Sequence, residues 1–346
     1  MGKWEMVRLG DVCTGTVTNI AQKNLDNNNG DYPIYGASGF IKCVDFYKQD
    51  KPYIAVVKDG AGVGRVSRMP TKSSVIGTLQ NIIPNENIDV NYLYYAMLKM
   101  NLGKFYTGAT IPHIYFKDYK KEELPLPPLP VQQKIADVLD RANALIEKRK
   151  TQIEKLDLLV KSQFVEMFGD PVTNPKKITT TLFENIVTLQ RGFDLPIQSR
   201  NTNGKIPVYG SNGILDYHDI AKVKGGGIIT GRSGTIGKVH YTKNDYWPLN
   251  TTLFSVNLHG NNIIFLAYLL KFFDLSRFVE GSGVPTLNRN IVHKEKIINV
   301  PIELQNKFAY FVERIEVQKS QMKCGLELME LGYKSLMQKC FNGKMF

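Results

Sequence analysis

Apolar residues recur along residues 131–168 at intervals of three, four or seven positions. This spacing predicts one long amphipathic helix, because it places the apolar side chains in a single stripe along the helix surface. Pro130 precedes the segment, Gly169 and Pro171 follow it, and no Gly or Pro interrupts it. At about 1.5 Å per residue the helix would be roughly 57 Å long. A helix of that length cannot cover its stripe alone and needs a partner.

A second segment, residues 305–341, carries the same pattern and provides that partner. Most of its apolar positions coincide with those of the first segment after subtraction of 173, as with Phe308 and Ile135. We predict an antiparallel coiled coil, because the domain-sized segment between the helices lets the chain turn back. The pattern leaves open two unrelated helices, each docked on its own domain. The predicted stripe consists of Ile135, Leu139, Ala142, Ile146, Ile153, Leu156, Val160, Phe308, Val312, Ile315, Met322, Leu326, Met329 and Tyr333.

The similarity extends beyond the helices. Residues 32–39 match residues 206–213 at a displacement of 174, and residues 59–66 match residues 232–239 at a displacement of 173. Residues 107–114 match residues 280–287, again 173 positions apart. A nearly constant displacement over most of the chain indicates two copies of one unit, each a globular domain followed by a long helix.

Each globular half has the sequence features of a mixed α/β domain. Residues 53–57 and 227–230 have the β-branched and apolar composition of strands, and residues 91–98 and 263–270 predict one helix per half. Four prolines between residues 125 and 130 predict a stiff link to the first long helix.

These elements together predict an α+β fold. It consists of two similar mixed α/β domains separated by two long helices packed as an antiparallel coiled coil, with a pseudo-twofold internal repeat. The expected boundaries are residues 1–130 for the first domain, 131–170 for the first helix, 171–303 for the second domain and 304–346 for the second helix.

The charge of the chain favours a polyanionic partner. Its 346 residues carry a formal net charge of +12, and displacement of counterions from nucleic acid would drive the binding of such a basic protein. No apolar run is long enough to span a bilayer, and the N-terminal residues lack the apolar segment of a signal peptide. The four cysteines are scattered. We therefore expect a cytoplasmic protein.

A glycine-rich segment, residues 231–238, resembles a phosphate-binding loop but departs from its pattern. Arg232 occupies a position that needs Gly, and Val239 follows Lys238 in place of Ser or Thr. We interpret the segment as a strand–turn–strand whose Arg232 and Lys238 face outward toward DNA phosphates or guanine edges, although ordinary surface cations remain the alternative. The corresponding candidates in the first half are Lys58, Arg65 and Arg68, and the sequence match aligns Asp59 with Arg232.

A second repeated element surrounds Pro112 and Pro285, and we interpret its Gly and Pro residues mainly as a chain reversal. Polar residues there differ between the halves and are candidates for contacts with bases. The remaining DNA-contact candidates are Thr110, His113, Arg191, Thr286, Asn288 and Arg289.

The chain lacks the catalytic motifs that can be tested from sequence. We find no amino-methyltransferase motif, no glycine-rich cofactor loop, no zinc-binding histidine pair and no nucleophile elbow. We therefore predict a non-catalytic protein without a bound metal. The alternatives are a DNA methyltransferase or nuclease with an unrecognised active site and a purely structural coiled-coil adaptor.

The ordered set of motifs resembles the specificity subunits of type I restriction–modification systems. It comprises the Tyr-Gly-x-x-Gly turns, the Gly-Arg-Ser-Gly-Thr-Ile-Gly segment, the Gly-x-x-x-Pro-x-Leu element, the Leu-Pro-x-Pro helix entry and the Phe-Gly-Asp-Pro exit. The resemblance implies two target recognition domains, each reading one half of an asymmetric bipartite DNA site. It also implies that the helices set the spacer and dock two DNA adenine-N6 methyltransferase subunits, which a motor-nuclease subunit joins.

The resemblance places the S-adenosylmethionine and ATP sites on the partners, so no cofactor is expected in this chain. Two features depart from the pattern of the family. The second helix entry, residues 299–303, lacks the proline-rich run, and only Asp59 and Gly60 match the arginine loop in the first half.

Overall fold

The structure, a computed structural model, describes residues 4–60, 62–108, 112–281 and 285–346. The chain divides into two compact units. Unit 1 comprises Met1–Lys150 and Gly325–Phe346, and unit 2 comprises Thr151–Cys324. Each unit therefore contains one globular domain and a part of both long helices.

The described part of unit 1 forms three sheets, with strand orders β2-β8-β5-β6, β4-β3-β7 and β1-β9. The strands are β1 (Met6–Arg8), β2 (Cys13–Val17), β3 (Tyr32–Gly36), β4 (Gly39–Val44), β5 (Tyr53–Val57), β6 (Val66–Met69), β7 (Ser74–Val75), β8 (Leu79–Pro84) and β9 (Glu123–Pro125). The helices are α1 (Leu9–Val12), α2 (Val90–Met100), α3 (Phe116–Tyr119) and α4 (Leu129–Phe168), and the last of these continues into unit 2.

The described part of unit 2 repeats this arrangement, with strand orders β11-β17-β14-β15, β13-β12-β16 and β10-β20 and an added pair, β18-β19. Its strands are β10 (Thr180–Leu182), β11 (Thr188–Arg191), β12 (Ile206–Gly210), β13 (Gly213–His218), β14 (Gly227–Gly231), β15 (Val239–Thr242), β16 (Trp247–Pro248), β17 (Thr252–Asn257), β18 (Val279–Glu280), β19 (Thr286–Leu287) and β20 (Lys296–Ile298). Its helices are α5 (Ile263–Phe273), α6 (Arg289–Val292) and α7 (Ile302–Phe341), which ends in unit 1.

The two domains share details that strand order alone would not require. Strand β3 pairs in parallel with β7, and β12 pairs in parallel with β16. Both β3 and β12 also have a register shift at the same place, between Ile34 and Tyr35 and between Val208 and Tyr209. The predicted α+β fold class and internal repeat are therefore confirmed.

Helix α4 begins at Leu129, slightly earlier than the sequence predicted. Pro130 lies in the first turn, where its missing N–H has no helical acceptor to lose. Pro125 ends strand β9, which pairs with β1, so the predicted proline link is partly strand. Within the described residues, no helix is long and apolar enough to cross a membrane.

In each unit, a part of α4 packs against a part of α7. In unit 1, Ile135 and Leu139 share a core with Tyr333 and Cys340, and Lys150 pairs with Glu330 at 3.5 Å. Residues later in α4 therefore contact residues earlier in α7, so the two segments run antiparallel.

The second half of α4 meets the first half of α7 in unit 2. Val160 and Phe164 share a core with Phe308, and Asp157 forms an ion pair with Lys319. These segments are antiparallel as well. All fourteen residues of the predicted stripe are buried or half-buried. Eight of them belong to the two unit cores or pack against them: Ile135, Leu139, Leu156, Val160, Phe308, Val312, Ile315 and Tyr333.

A buried glutamine fixes the start of each long helix to its own domain. Gln132 is fully buried; its Oε1 accepts from the Asp89 N–H at 2.8 Å, and its Nε2 donates to Pro127 O at 2.8 Å and to Asn87 O at 3.0 Å. Gln305 is 1% exposed and repeats two of these bonds, with Asn262 N–H and Val300 O, while its third bond goes to the side-chain oxygen of Asn261. Both buried amides therefore have all of the partners they need.

We predict that Gln132→Leu lowers the free energy of unfolding by about 1–3 kcal/mol, because one buried N–H and two carbonyl groups lose their partner. The neighbouring Gln133 is exposed, so Gln133→Leu is the matched control and should change stability by less than about 0.5 kcal/mol. Urea unfolding of the three proteins measures both values. Equal losses in the two variants would contradict the structural role of Gln132.

Candidate nucleic-acid interface

Each domain carries a glycine-rich loop between two antiparallel strands of its four-stranded sheet. We call residues 58–65, which join β5 to β6, glycine loop 1, and residues 232–238, which join β14 to β15, glycine loop 2. The pairing of β14 with β15 confirms the strand–turn–strand predicted around Arg232. Both loops lie at an end of a buried strand, so a rigid sheet supports them.

Backbone hydrogen bonds correct the alignment of the two loops. The Lys58 N–H donates to Thr78 O at 3.0 Å, and the Arg232 N–H donates to Thr251 O at 2.9 Å. Lys58 O and Arg232 O accept from the equivalent N–H groups of Ile114 and Leu287. Lys58, and not Asp59, therefore corresponds to Arg232. The sequence match was shifted by one residue because glycine loop 1 is one residue longer.

The proline-containing element of each domain packs against its glycine loop. In unit 1, the Gly60 N–H donates to Pro112 O at 2.9 Å, and Thr107 and His113 exchange two backbone hydrogen bonds, which form the predicted chain reversal. In unit 2, Ser233 and Thr286 form an isolated β-bridge. His113 and Thr286 are both half-buried at these contacts. The predicted candidate Thr110 lies outside the described residues.

A third loop, the Tyr-Gly-x-x-Gly turn, completes the surface in each domain. We call residues 36–39 and 210–213 the tyrosine-glycine turns. Arg65 donates through Nη2 to Ala37 O, and Lys238 donates through Nζ to Asn212 Oδ1 at 2.7 Å. The last cation of each glycine loop thus bonds the neighbouring turn, and three loops meet at the same end of each domain. The sequence repeat marked these turns but did not indicate that they belong to the candidate site.

Glycine is required where the backbone of a glycine loop packs closely on itself or on the segment after α2. A Cβ on Gly231 would lie 1.8 Å from Thr235 O, and a Cβ on Gly64 would lie 2.4 Å from Gly103 N. Gly64 also has a φ of +84°, which residues with a side chain rarely adopt. The glycines of the motif therefore permit the conformation of the loops, while the cations are the groups that can bind a polyanion.

The cations of unit 2 surround one end of its four-stranded sheet. Arg232 is half-buried, and its Nε donates to Asn250 O at 3.2 Å. Arg191 is exposed at the end of β11, where it pairs with Leu253, which in turn pairs with Thr230. Arg191 and Arg232 therefore lie at the same end of the sheet, on either side of β17, and can face a polyanion together.

His240 packs beneath this surface. A Cβ on Gly213 would lie 3.2 Å from His240 Cε1, so the imidazole closely contacts the tyrosine-glycine turn. Burial lowers the pKa of His240, and the charge of Lys238 lowers it further. Neutral imidazole is thus favoured under the turn.

Two of the predicted residues have structural contacts. The Asn288 side chain caps α6 by accepting from the Asn290 N–H at 3.1 Å, and it donates to Glu280 Oε2 at 3.0 Å. Arg289 begins α6. Burial lowers the pKa of His293, and the positive charge of Arg289 also lowers it.

Arg68 lies on the side of the first domain that faces α4. It bonds Asp140 through two guanidinium nitrogens at 2.8 and 3.0 Å, and Nη1 also donates to Asn91 Oδ1 at 3.0 Å. Its guanidinium is 4.7 Å from the centroid of the Tyr94 ring. These contacts join β6, α2 and α4, so we do not include Arg68 in the candidate interface.

Within the described ranges, no group of three or more His, Cys, Asp or Glu residues could hold a metal ion. In each domain the structure brings together the two cations of the glycine loop, the proline-containing element and the tyrosine-glycine turn, all at one end of a sheet. The cations suit phosphates and guanine edges, and the polar side chains suit the edges of other bases.

Comparison with protein families identifies one that covers most of the chain. The sequence model of the family described as type I restriction modification DNA specificity domain matches residues 1–156 and 179–323. A putative type I restriction enzyme specificity subunit of Haemophilus influenzae is 21% identical over 342 residues, which cover 90% of this chain and 88% of that protein. A putative type I specificity subunit of Mycoplasma pneumoniae is 24% identical over 347 residues, covering 88% and 91%.

Solved structures share the fold along the whole chain. The S subunit of a type I restriction–modification system from M. genitalium aligns with a TM-score of 0.67 and 18% identity, covering 98% of this chain and 96% of that one. A chain from a structure that concerns complex assembly and conformational transition of the type I R–M system aligns with a TM-score of 0.60 and 13% identity, covering 99% and 98%. Identities this low establish the likeness of fold alone.

We predict that Asp140→Asn destabilises the protein at pH 7 by up to about 1 kcal/mol, a modest value because Asp140 is partly exposed. Burial raises the pKa of this carboxyl, but hydrogen bonds from Arg68 and Tyr95 outweigh it, and the net pKa is lowered. A lowered pKa stabilises the fold above the unfolded value of about 4, and this stabilisation is lost as the pH falls through the folded value.

The difference in stability between wild type and Asp140→Asn should therefore shrink as the pH is reduced below about 4. The exposed Asp137 on the same helix provides the control, because Asp137→Asn should have a small effect at every pH. Urea unfolding between pH 3 and pH 7 measures this dependence. A difference that stays constant across the series would rule out the ionised Asp140–Arg68 pair as its source.

Proposed function

Because the chain belongs to the family of type I restriction–modification DNA specificity subunits, we propose that each of its two domains reads one half of a bipartite, asymmetric DNA site. One observation carries this proposal. The same three-loop surface occurs once in each domain, with different side chains on an equivalent backbone: Lys58 against Arg232, Arg65 against Lys238 and His113 against Thr286. A shared scaffold with unlike contact residues suits two half-sites of different sequence.

The chemistry of these cations supports different roles for lysine and arginine in DNA binding. Lysine is a compact point charge that fits a phosphate, whereas the guanidinium group of arginine can donate two parallel hydrogen bonds to a guanine edge. Lys58 is also paired with Asp59 at 3.4 Å, while Arg232 is held only by bonds to backbone carbonyl groups among the contacts described above. We therefore assign base reading to Arg232 and DNA-backbone contacts to Lys58 and Lys238, and to Arg65, whose Nη2 is already bonded to Ala37 O.

In this proposal the two long helices set the unread gap between the half-sites. Each helix has 40 residues, which corresponds to about 60 Å at 1.5 Å per residue. Duplex DNA presents equivalent groove faces about every 34–36 Å. Paired helices that are packed into the domain cores are stiff enough to define such a gap.

The outer faces of the helices are proposed to dock two methyltransferase subunits, to which the motor-nuclease subunits bind. Large apolar residues remain exposed there, including Leu158 and Leu331, which occupy the same position of the repeat and are each 62% exposed. On unit 2, Tyr310, Val317 and Gln321 line a groove of about 570 Å³. Exposed apolar patches of this kind are typical of protein interfaces. The S-adenosylmethionine and ATP sites then belong to the partners, and this chain is non-catalytic.

Methylome sequencing tests the proposal. We predict that deletion of the gene from a strain with an intact system removes methylation at one split adenine motif, and that re-expression restores it. An unchanged methylome would contradict the proposal. Methyl transfer or DNA cleavage by the purified chain alone would instead favour a methyltransferase or nuclease with an unrecognised active site.

Single substitutions in the same experiment distinguish base contacts from phosphate contacts. Arg232→Ala should relax one position of one half-site by about 1–3 kcal/mol, whereas Lys58→Ala should reduce methylation without relaxing any position. Lys224→Ala, an exposed cation before the opposite end of β14, is the control and should leave the motif unchanged. Equal loss at every sequence for Arg232→Ala would identify Arg232 as a phosphate contact.

A further inference from the structure

Unit 2 has a small notch next to the segment that holds Arg232 of glycine loop 2, and the contacts described so far do not use it. The notch has a volume of about 350 Å³. Two large aliphatic side chains form its rim, Ile197 at 75% exposed and Leu215 at 63% exposed. Its remaining lining combines the apolar Leu195, Pro196 and Leu249 with the polar Asp194, Arg200, Asn250 and Thr251.

The floor of the notch is the segment that positions Arg232. Asn250 O accepts from Arg232 Nε at 3.2 Å, and Thr251 O accepts from the Arg232 N–H at 2.9 Å. The Asn250 side-chain amide donates to Asp194 Oδ1, which fixes the other side of the floor. A group bound in the notch would therefore lie directly beside whatever Arg232 contacts.

The opposite rim of the notch follows the tyrosine-glycine turn. Leu215 lies on β13, two residues after Gly213, the last glycine of that turn, and the turn itself is bonded to Lys238 through Asn212. The lining of the notch contains one cation, Arg200, and one anion, Asp194, and Arg232 is bonded to its floor. The excess of cations at this end of the domain disfavours a basic protein surface as the occupant and favours an apolar group carried by a polyanion.

In the described residues of the first domain, the positions equivalent to this exposed aliphatic pair carry different side chains or are less exposed. Ile41 corresponds to Leu215, because Tyr35 pairs with Phe40 as Tyr209 pairs with Ile214. Ile41 is half-buried and packs against the core that contains Ile34 and Val44. The short turn that begins at Ile197 corresponds to residues 22–24 of unit 1, which are Gln, Lys and Asn. The notch is therefore a feature of the second half-site reader.

The major groove of DNA offers one apolar group to a protein, the 5-methyl group of thymine. We propose that the notch between Ile197 and Leu215 receives the 5-methyl group of a thymine in the second half-site, next to the base that Arg232 contacts. This assignment rests on the proposed DNA-reading function. It adds a specificity contact that distinguishes thymine from uracil and from unmethylated cytosine, and it applies to one half-site only.

The test uses duplexes that contain the site found by methylome mapping, with deoxyuridine in place of each second-half thymine in turn. We predict that the full chain, assembled with its methyltransferase subunits, binds one of these duplexes about fourfold more weakly, the effect of removing one methyl group from an apolar contact. Ile197→Ser and Leu215→Ser should abolish this fourfold ratio. Ile214→Ser is the matched control, because Ile214 is 53% exposed on the same strand but does not line the notch, and it should retain the ratio.

The outcomes separate the two proposals. A complex that binds all duplexes equally, whatever their sequence, refutes the DNA-reading function itself. Specific binding with no thymine-to-uracil effect at any second-half position overturns the notch assignment alone, as does a second half-site without thymine. Persistence of the ratio in Ile197→Ser and Leu215→Ser also overturns it. If these variants weaken assembly with the methyltransferase subunits and leave the ratio intact, the notch is a protein contact.

Discussion

Neither long helix can cover its own apolar stripe, and the packing of each unit follows from that constraint. In unit 1, Ile135 and Leu139 are buried against the first domain and against the C-terminal part of α7. In unit 2, Val160 and Phe164 are buried against the second domain and the N-terminal part of α7. Each core therefore combines segments from distant parts of the chain. A domain built in this way is attached to both helices, which the proposed spacer between two DNA readers would require.

The two copies of the repeat share the contacts that hold each helix to its domain, but they differ in the side chains that a ligand could contact. Gln132 and Gln305 satisfy equivalent buried groups through equivalent bonds. The same backbone pattern around Lys58 and Arg232 presents two different cations. The outer rim diverges further, because Leu215 is exposed where Ile41 is half-buried. Under the proposed function, this divergence would let the two domains read unlike half-sites on one scaffold.

The sequence predicted the helices and the repeat because both depend on periodicity, which is visible along the chain. It did not predict the contact of Arg68 with Asp140, nor the alignment of Lys58 with Arg232. The bond from Arg68 to Asp140 joins residues 72 positions apart, and no local pattern indicates such a partner. Lys58 was misaligned because one added residue in a glycine-rich loop leaves several equally good matches. The notch could not be predicted from the sequence either. Ile197 lies in a short turn and Leu215 on β13, and they line the same notch only in the folded chain.

The central claim is that one repeated unit holds two different DNA readers at a defined spacing. Changing the length of both helices tests this claim most directly. Deletion of the equivalent segments 150–153 and 323–326 removes about one turn, roughly 6 Å, from both helices. The account predicts that the methylome of this variant retains both half-site sequences and that the gap between them is shorter by about one or two base pairs, at 3.4 Å each. Retention of both half-sites with an unchanged gap would contradict it.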